Sequence, residues 1–561
     1  TTQIMIFLMG IAWFPWILHA TKKLYETKNI KYVFILGSLV ALEATSASPA
    51  YTIVLIYILI GLGFYYFLTA GKGRITFVLL FVLAGAVSIV LVLPMINGLV
   101  EFAPYFGRLG KLKYLPWVYQ GSFDFAEYIS FLFPMAVLSK SDIWGASDLT
   151  LRNGYFGVFG FISFVFALKD LKNSRNVQIF SVIALLFLLL AAGDYTPVYK
   201  WSRSLPGFGT FRHPSFFRSH AIFFMILISG IGLDKLKKQN TSFHWLIIGF
   251  IGICAATIIA TIDNGAEHIS DLIKDIISFK EKPNYFSEPF ICLNASILFA
   301  ILIFYFILFK RFKNTAKLLF YLVIIDLGVQ TQITAPTTMV YPKKNITEFD
   351  EFYNKLPSSI DQTPLTEPLK KFNGYHKDYG PYPVWRNVGT FTKQISPKGH
   401  NAAQFKSFNK LEKNSGLQNV CLNPLIFVAK NSVDSAELAT LPNTVWGSDL
   451  INPSLRFKKK EIQHNAFYFE IENPSNEPGL VVLNQNFHHL WKANLSNHEI
   501  KIEFVNDGLM GFKIPPNFNG SLQLNFNSPR TKLLFFISLL AYTVIAVFLL
   551  YTRNKAIKET N

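Results

Sequence analysis

Two arginines six residues apart, Arg212 and Arg218, stand in the run Leu205-Pro-Gly-Phe-Gly-Thr-Phe-Arg-His-Pro-Ser-Phe-Phe-Arg218, and with His213 between them and His220 just beyond they would place cationic donors at the outer membrane surface. A guanidinium offers a planar fork of N–H donors that matches a phosphate or pyrophosphate. The stretch is therefore a candidate for holding an anionic headgroup, and equally for anchoring a helix end to ordinary lipid phosphates. Asp194 lies just upstream, in Gly193-Asp-Tyr-Thr-Pro-Val-Tyr199. Glu43 and Asp326 are acids inside apolar segments, where burial in hydrocarbon costs several kcal/mol and ionisable groups tend to be functional. Glu43 reads either as the lining of an outward cavity or as a helix-end acid reaching for water. Asp326, close to Gln330 and Gln332, reads first as an interhelical hydrogen-bonding group and second as part of a polar path. The candidate substrate-binding set is thus Glu43, Asp194, Arg212 and Arg218.

Other chemistry is excluded more firmly. Of the three cysteines, Cys254 and Cys292 sit in apolar blocks and Cys421 is alone in a polar region, which gives neither a disulfide framework nor metal-ligand spacing. The pair in Phe487-His-His-Leu-Trp491 is expected on a strand, where neighbours point to opposite faces, and it has no evident third ligand. No metal site is assigned. The chain contains no phosphate-binding glycine loop and no metalloprotease or serine-hydrolase signature.

The elements that must position these residues follow from composition. The 561 residues are 51% hydrophobic, 16% aromatic and 16% charged, with 55 Phe, against about 25% charged in soluble domains. This argues against a soluble cytosolic enzyme. A 19-residue window finds about eleven apolar segments of spanning character: 4–20, 32–46, 50–68, 75–99, 154–168, 177–192, 216–233, 245–262, 289–309, 318–334 and 533–551. The net charge of +18 would suggest nucleic acid in a soluble chain. Here the excess lies in every second loop, a set that includes Lys22, Lys23, Lys28 and Lys31, and Lys310, Arg311, Lys313 and Lys317. That pattern places those loops in the cytoplasm. The longer, mixed-charge loops then face outward, including 101–153 with Tyr105, Tyr114, Trp117, Tyr119, Tyr128 and Trp144, whose aromatics suit either sugar stacking or the membrane interface.

The expected fold class is a polytopic α-helical membrane protein with an extracytoplasmic β-sandwich-containing domain before the last helix. Its parts are a helical bundle over 1–334, a Pro- and Asn-rich irregular segment over 335–450 with a short helix at 347–356, a β-sandwich over 451–530, and a final helix with a cytoplasmic tail over 531–561. In the sandwich, 467–472, 480–483, 490–495, 499–505 and 521–526 carry strand patterns, with turns at Asn506-Asp-Gly508 and Asn519-Gly520. The start at Thr1, inside an apolar stretch and without a signal-peptide pattern, leads us to expect a fragment of a longer chain.

Several stretches together resemble the YfhO family of bacterial membrane proteins, which are GT-C-type glycosyltransferases or close relatives. They are Val92-Leu-Pro94, Phe131-Leu-Phe-Pro134 followed by Gly154-Tyr-Phe-Gly157, the 193–199 and 205–218 runs, Ile231-Gly-Leu-Asp234, Asp326-Leu327, and His489-Leu-Trp-Lys-Ala-Asn-Leu-Ser496. The resemblance runs in order over nearly the whole chain. Ser46-Ala-Ser-Pro49 departs from the Gly-His-Pro turn usual in the family. The resemblance implies an inverting transfer, from a polyprenyl-phosphate-linked sugar to an envelope polymer or glycolipid, on the outer face of the bacterial cytoplasmic (inner) membrane. It carries over Arg212 and Arg218 as contacts to the donor headgroup and puts the catalytic acid on a loop upstream of Thr1. A divalent metal or basic residues would neutralise the leaving phosphate. Membrane lipids, the lipid-linked donor and a glycan acceptor are the expected partners. The alternatives are a lipid or polysaccharide transporter, which needs a polar path through Glu43 and Asp326, and an envelope scaffold whose outer β-domain binds glycan.

Overall fold

The computed structural model describes residues 9–69, 71–107, 118–119, 121–134, 149–238, 249, 251–253, 255, 288–311, 321–331, 375–376, 380–381, 405–407, 426–429, 455–463, 465–505 and 508–560. The short helix expected at 347–356, most of the segment 245–262, Cys254, Cys421 and Gln332 lie outside the described residues. The chain divides into two units, one comprising residues 1–88 with 110–341 and the other residues 89–109 with 342–561.

Long apolar runs form the helices of the first unit: α1 (Phe14–Thr27), α2 (Ile30–Ser46), α3 (Pro49–Thr69), α4 (Arg74–Leu91, whose last turn belongs to the second unit), α6 (Val158–Ala167), α7 (Arg175–Ala191), α8 (Pro197–Ser202), α9 (Phe217–Lys238), α10 (Glu288–Arg311) and α11 (Tyr321–Thr331). Lys28 ends α1 in the left-handed region, and the Asn29 side chain then accepts from Lys31 N at 2.9 Å to start α2. Small residues let helices approach closely, as expected where apolar lipid removes the hydrophobic drive for association. Ser88 Oγ donates to the Gly37 carbonyl at 3.1 Å, and Ser229 Oγ donates to the Gly160 carbonyl at 2.7 Å.

Among the described residues four helices are long and apolar enough to cross a membrane, over Pro49–Thr69, Gly71–Leu91, Pro214–Lys235 and Pro529–Asn554. Large apolar side chains such as Ile60, Phe64, Ile75 and Leu540 stand out from them, each more than 60% exposed. Apolar surface on this scale suits lipid and not water. Arg175–Ala191, Asn294–Phe304 and Tyr321–Thr331 are shorter apolar helices, so the described residues carry fewer membrane-length helices than the eleven expected segments.

In the second unit, the segment expected to run unbroken over 75–99 is split. Helix α4 ends at Leu91 and α5 (Leu93–Phe102) begins with Pro94 in its first turn. Pro94 has no N–H to offer the Val90 carbonyl four residues back, and its ring crowds that oxygen. The freed carbonyl accepts instead from Ser538 Oγ of the last helix α12 (Pro529–Thr560) at 2.8 Å. About three turns further on, Glu101 accepts from Ser528 Oγ at 2.9 Å and Thr531 Oγ1 at 3.2 Å, while Asn97 Nδ2 donates to Thr531 Oγ1 at 2.9 Å. Burial works to raise the Glu101 pKa, but these hydrogen bonds outweigh it and hold the carboxyl below its ordinary range.

The C-terminal β region has two sheets. One runs β3 (Ile426–Ala429), β6 (Gly479–Asn486), β10 (Leu509–Ile514), β9 (Glu503–Val505); the other runs β4 (Arg456–Gln463), β5 (Ala466–Asn473), β11 (Phe518–Phe526), β7 (Trp491–Leu495), β8 (His498–Ile500), and the described pairings are antiparallel. A small separate pair, β1 (Tyr375–His376) and β2 (Gly380–Pro381), precedes them. Phe469, Ile471, Leu522 and Leu524 of one sheet share a buried core with Val481, Leu483, Met510 and Phe512 of the other, as in a sandwich. The turn expected at Asn519-Gly520 is corrected: both residues pair within β11, and the chain reverses earlier, at Asn517 with φ +51°. Strand β10 was not expected, because it is buried on both faces and shows no alternation.

Candidate anion site

Three segments of the first unit build the neighbourhood of Arg218. Gly121 accepts from Ser215 N at 3.1 Å, and Phe123 N donates to the Ala191 carbonyl at 2.8 Å, so the 121–131 segment is pinned between the 191–199 and 211–220 segments. Ser122 Oγ accepts from Asp194 N at 3.2 Å. Gly193, at φ +55°, makes this closeness possible: a Cβ there would run into Ser122 Oγ and stand 2.8 Å from Pro214 Cγ. Gly193→Ala is expected to cost about 1–3 kcal/mol through strain and overlap. Gly85→Ala, in open space on α4, is the control. A thermal shift for Gly193→Ala no larger than the control's would contradict the packing.

Phe123 is fully buried and its ring lies 5.5 Å from the Arg218 guanidinium carbon. Arg218 is half-buried, and its Nε and Nη1 are enclosed without hydrogen-bond partners. A buried charged donor left unmet costs more than a neutral one. The groups that face it are the neutral Tyr51 phenol and the Glu127 carboxylate. Tyr51 is already paired with Ser219 through its hydroxyl at 2.8 Å, and Glu127 lies 3.5 Å from Arg152 Nε. One buried carboxylate thus lies near both arginines.

The exposed rim is acidic. Tyr195 is pushed up to about 12, chiefly by its hydrogen bond to Asp124 and then by burial and the charges of Asp124, Glu127 and Asp194. Burial, and behind it Glu127, raises Tyr128 to about 12 as well.

The sequence-selected residues are distributed as follows. Arg212 is half-buried on the same segment as Arg218, and Asp194 is exposed on the rim. Glu43 is fully buried on α2 with neither oxygen hydrogen-bonded in good geometry, beside Thr52 of α3, and it makes no ion pair with Arg218. His220 is corrected: it is not a donor at the membrane surface but is fully buried, with its ring 4.8 Å from Tyr51 and 5.1 Å from Phe187 in stacked arrangements. Asp326 is fully buried and hydrogen-bonded by Tyr155 Oη at 2.6 Å and Val158 N at 2.9 Å. Asn294 of α10 donates to Gln330 of α11. Sequence reasoning missed Phe123, Tyr51, Ser219 and the Glu127–Arg152 pair. Only the co-occurrence of an acid and an arginine in one polar loop hinted at the last.

No family model, curated protein or solved structure matches this chain. The function must therefore be argued from the site itself.

The metal reading of His488 and His489 fails for a different reason than strand geometry. They lie in the loop before β7, with rings stacked at 4.5 Å, and Tyr105 Oη pairs with His489 Nδ1 at 2.9 Å. Burial, with His489 nearby, lowers the His488 pKa. Among the described residues no three His, Cys, Asp or Glu side chains converge. What the Arg218 neighbourhood can do is hold an anion.

Proposed function

We propose that this is a polytopic protein of the bacterial cytoplasmic membrane, of about eleven spans with the 335–530 region outside, that acts as a glycosyltransferase of the family it resembles. Its donor is a polyprenyl-phosphate-linked sugar, and an envelope glycan or glycolipid accepts the sugar on the outer face. The observation that carries the reading is the buried Arg218 guanidinium with two unmet nitrogens at the start of a membrane-length helix. A phosphate ester there would meet those donors, with Arg212 close in sequence to share its second charge. The chemistry asked of these residues is to hold and neutralise the phosphate as the acceptor hydroxyl attacks the sugar C1. Asp326 is already engaged by Tyr155 and Val158, which removes one of the two groups a transporter would need for a polar path.

The test is capture of a polyprenyl phosphate by the purified protein in detergent, read by native mass spectrometry, together with sugar transfer in membranes. Arg218→Gln is expected to weaken capture at least about tenfold and to abolish transfer, with Arg212→Gln following to a smaller extent. Lipid capture at the wild-type level in both variants overturns the reading.

A further inference from the structure

The second unit carries a cleft of about 800 Å³ that the anion site does not use. Its floor is the outer face of the five-stranded sheet. Strand alternation turns Leu522, Leu524, Ala493 and Leu495 into the core and leaves Asn525, Lys492 and Asn494 outside, with Asn525 directly opposite Lys492 across the β11–β7 ladder. The start of the last helix forms the other wall, with Asn527 and Lys532. Gln463 and Asn465 also line the cleft, and no acidic side chain does.

Carboxamides dominate this lining. Each amide both donates and accepts, the pattern that a sugar ring with neighbouring hydroxyls answers in kind. One of them is poised without a partner: Asn527 Oδ1 is buried and accepts no hydrogen bond. A buried acceptor left open costs stability unless a ligand or water supplies a donor. The charge is one-sided. Lys492 is 3.4 Å from Glu499 on the surface, while Lys532 makes no ion pair among the described residues. Phe526 touches the cleft at its margin, its ring turned to the core side with Trp491 at 5.1 Å. The volume is that of a ligand site and not of a single ion.

We infer that this cleft is a binding site for an oligosaccharide carrying an acidic group. Asn494, Asn525 and Asn527 engage its hydroxyls, and Lys532 engages its carboxylate or phosphodiester. The site is independent of the Arg218 reading and stands or falls without it.

The full-length protein in detergent is titrated calorimetrically with hexagalacturonate, with maltohexaose of the same length and with inorganic phosphate. Hexagalacturonate is expected to bind, and maltohexaose about tenfold more weakly. Asn494→Ala with Asn525→Ala is expected to weaken hexagalacturonate about tenfold, and Lys532→Gln to bring it down to the level of maltohexaose. These side chains sit on the surface, and an unchanged melting temperature shows that the variants are folded. The inference is overturned if neither hexasaccharide binds, if the double variant binds as the wild type does, or if maltohexaose binds as tightly as hexagalacturonate. Displacement of hexagalacturonate by inorganic phosphate at equal concentration also overturns it, because the site would then be a simple headgroup-type anion site.

Discussion

Glu127→Ala is expected to destabilise the first unit by about 3–5 kcal/mol, the cost of leaving one partner of a buried ion pair alone. Glu127 is fully buried, and Arg152 beside it has only 9% of its side chain exposed. The carboxylate has two jobs. Its Oε1 faces Arg152 Nε at 3.5 Å, and its Oε2 accepts from Asp124 N at 3.2 Å, closing a capping box in which Asp124 Oδ1 accepts from Ala126 N at 2.9 Å. Glu127→Gln separates these roles, because the amide oxygen still caps the turn while the charge is lost. It is expected to cost less than Glu127→Ala but still leave Arg152 uncompensated. Glu127→Leu combined with Arg152→Met removes both charges and is expected to recover most of the loss. Thermal unfolding of the purified protein in detergent measures these three variants and the singles Glu127→Leu and Arg152→Met. A double variant as unstable as the sum of the two singles would show that the charges do not interact. Glu127 also faces Arg218, so Glu127→Gln is expected to raise affinity for polyprenyl phosphate while it lowers stability. A general loosening of the fold would not move the two readouts in opposite directions.

The sequence-based reading succeeded where the physics is local. An apolar run of bilayer length must be a helix, because in lipid its backbone polar groups have no other partner. Thus 50–68 anticipates Pro49–Thr69, and 216–233 anticipates Pro214–Lys235. The break at Pro94 was equally local, but a hydropathy window averages across it, and the Ser538 hydroxyl that takes the Val90 carbonyl comes from more than 400 residues away. The strand patterns over 467–472 and 521–526 were legible through alternation, whereas β10 hid because both its faces are covered. The site was legible in kind and not in composition. Arg218 stands out as an arginine at the mouth of an apolar run, yet that it is short of acceptors depends on Phe123, Tyr51 and Glu127, which reach it from segments with no sequence signal pointing there. His220 misled for the same reason. A histidine beside an arginine suggests a cationic pair, while the rings that enclose it come from α3 and α7.

Asp326→Ala tests a contact of that long-range kind. The carboxylate on α11 caps α6 from outside: Val158 N, the first amide of that helix, donates to Oδ2 at 2.9 Å, and Tyr155 Oη donates to Oδ1 at 2.6 Å. Gly157, at φ +96°, turns the chain so that the amide faces the acid, and a Cβ there would come within 3.4 Å of Oδ2. Helix N-termini favour negative charge and leave amides to be met by a side chain or water. Deleting the carboxylate orphans the Tyr155 hydroxyl, at about 1–3 kcal/mol, and leaves Val158 N only the Tyr155 Oη, to which it also donates at 3.0 Å. Asp326→Asn keeps one acceptor and is expected to lose less. Tyr155→Phe alone removes the hydrogen bond to Asp326 and the one accepted from Val158 N, about 1–2 kcal/mol, since Val158 N keeps Asp326 Oδ2. Because Tyr155 and Val158 share the same carboxylate, Asp326→Ala and Tyr155→Phe together are expected to cost less than their sum by about 0.5 kcal/mol or more. Additive costs in thermal unfolding would mean that the three groups do not form one network. If Asp326 instead served a proton or ion path, Asp326→Asn would leave stability near wild type while abolishing activity. The capping geometry predicts the reverse order, with stability lost first and sugar transfer by the folded fraction retained.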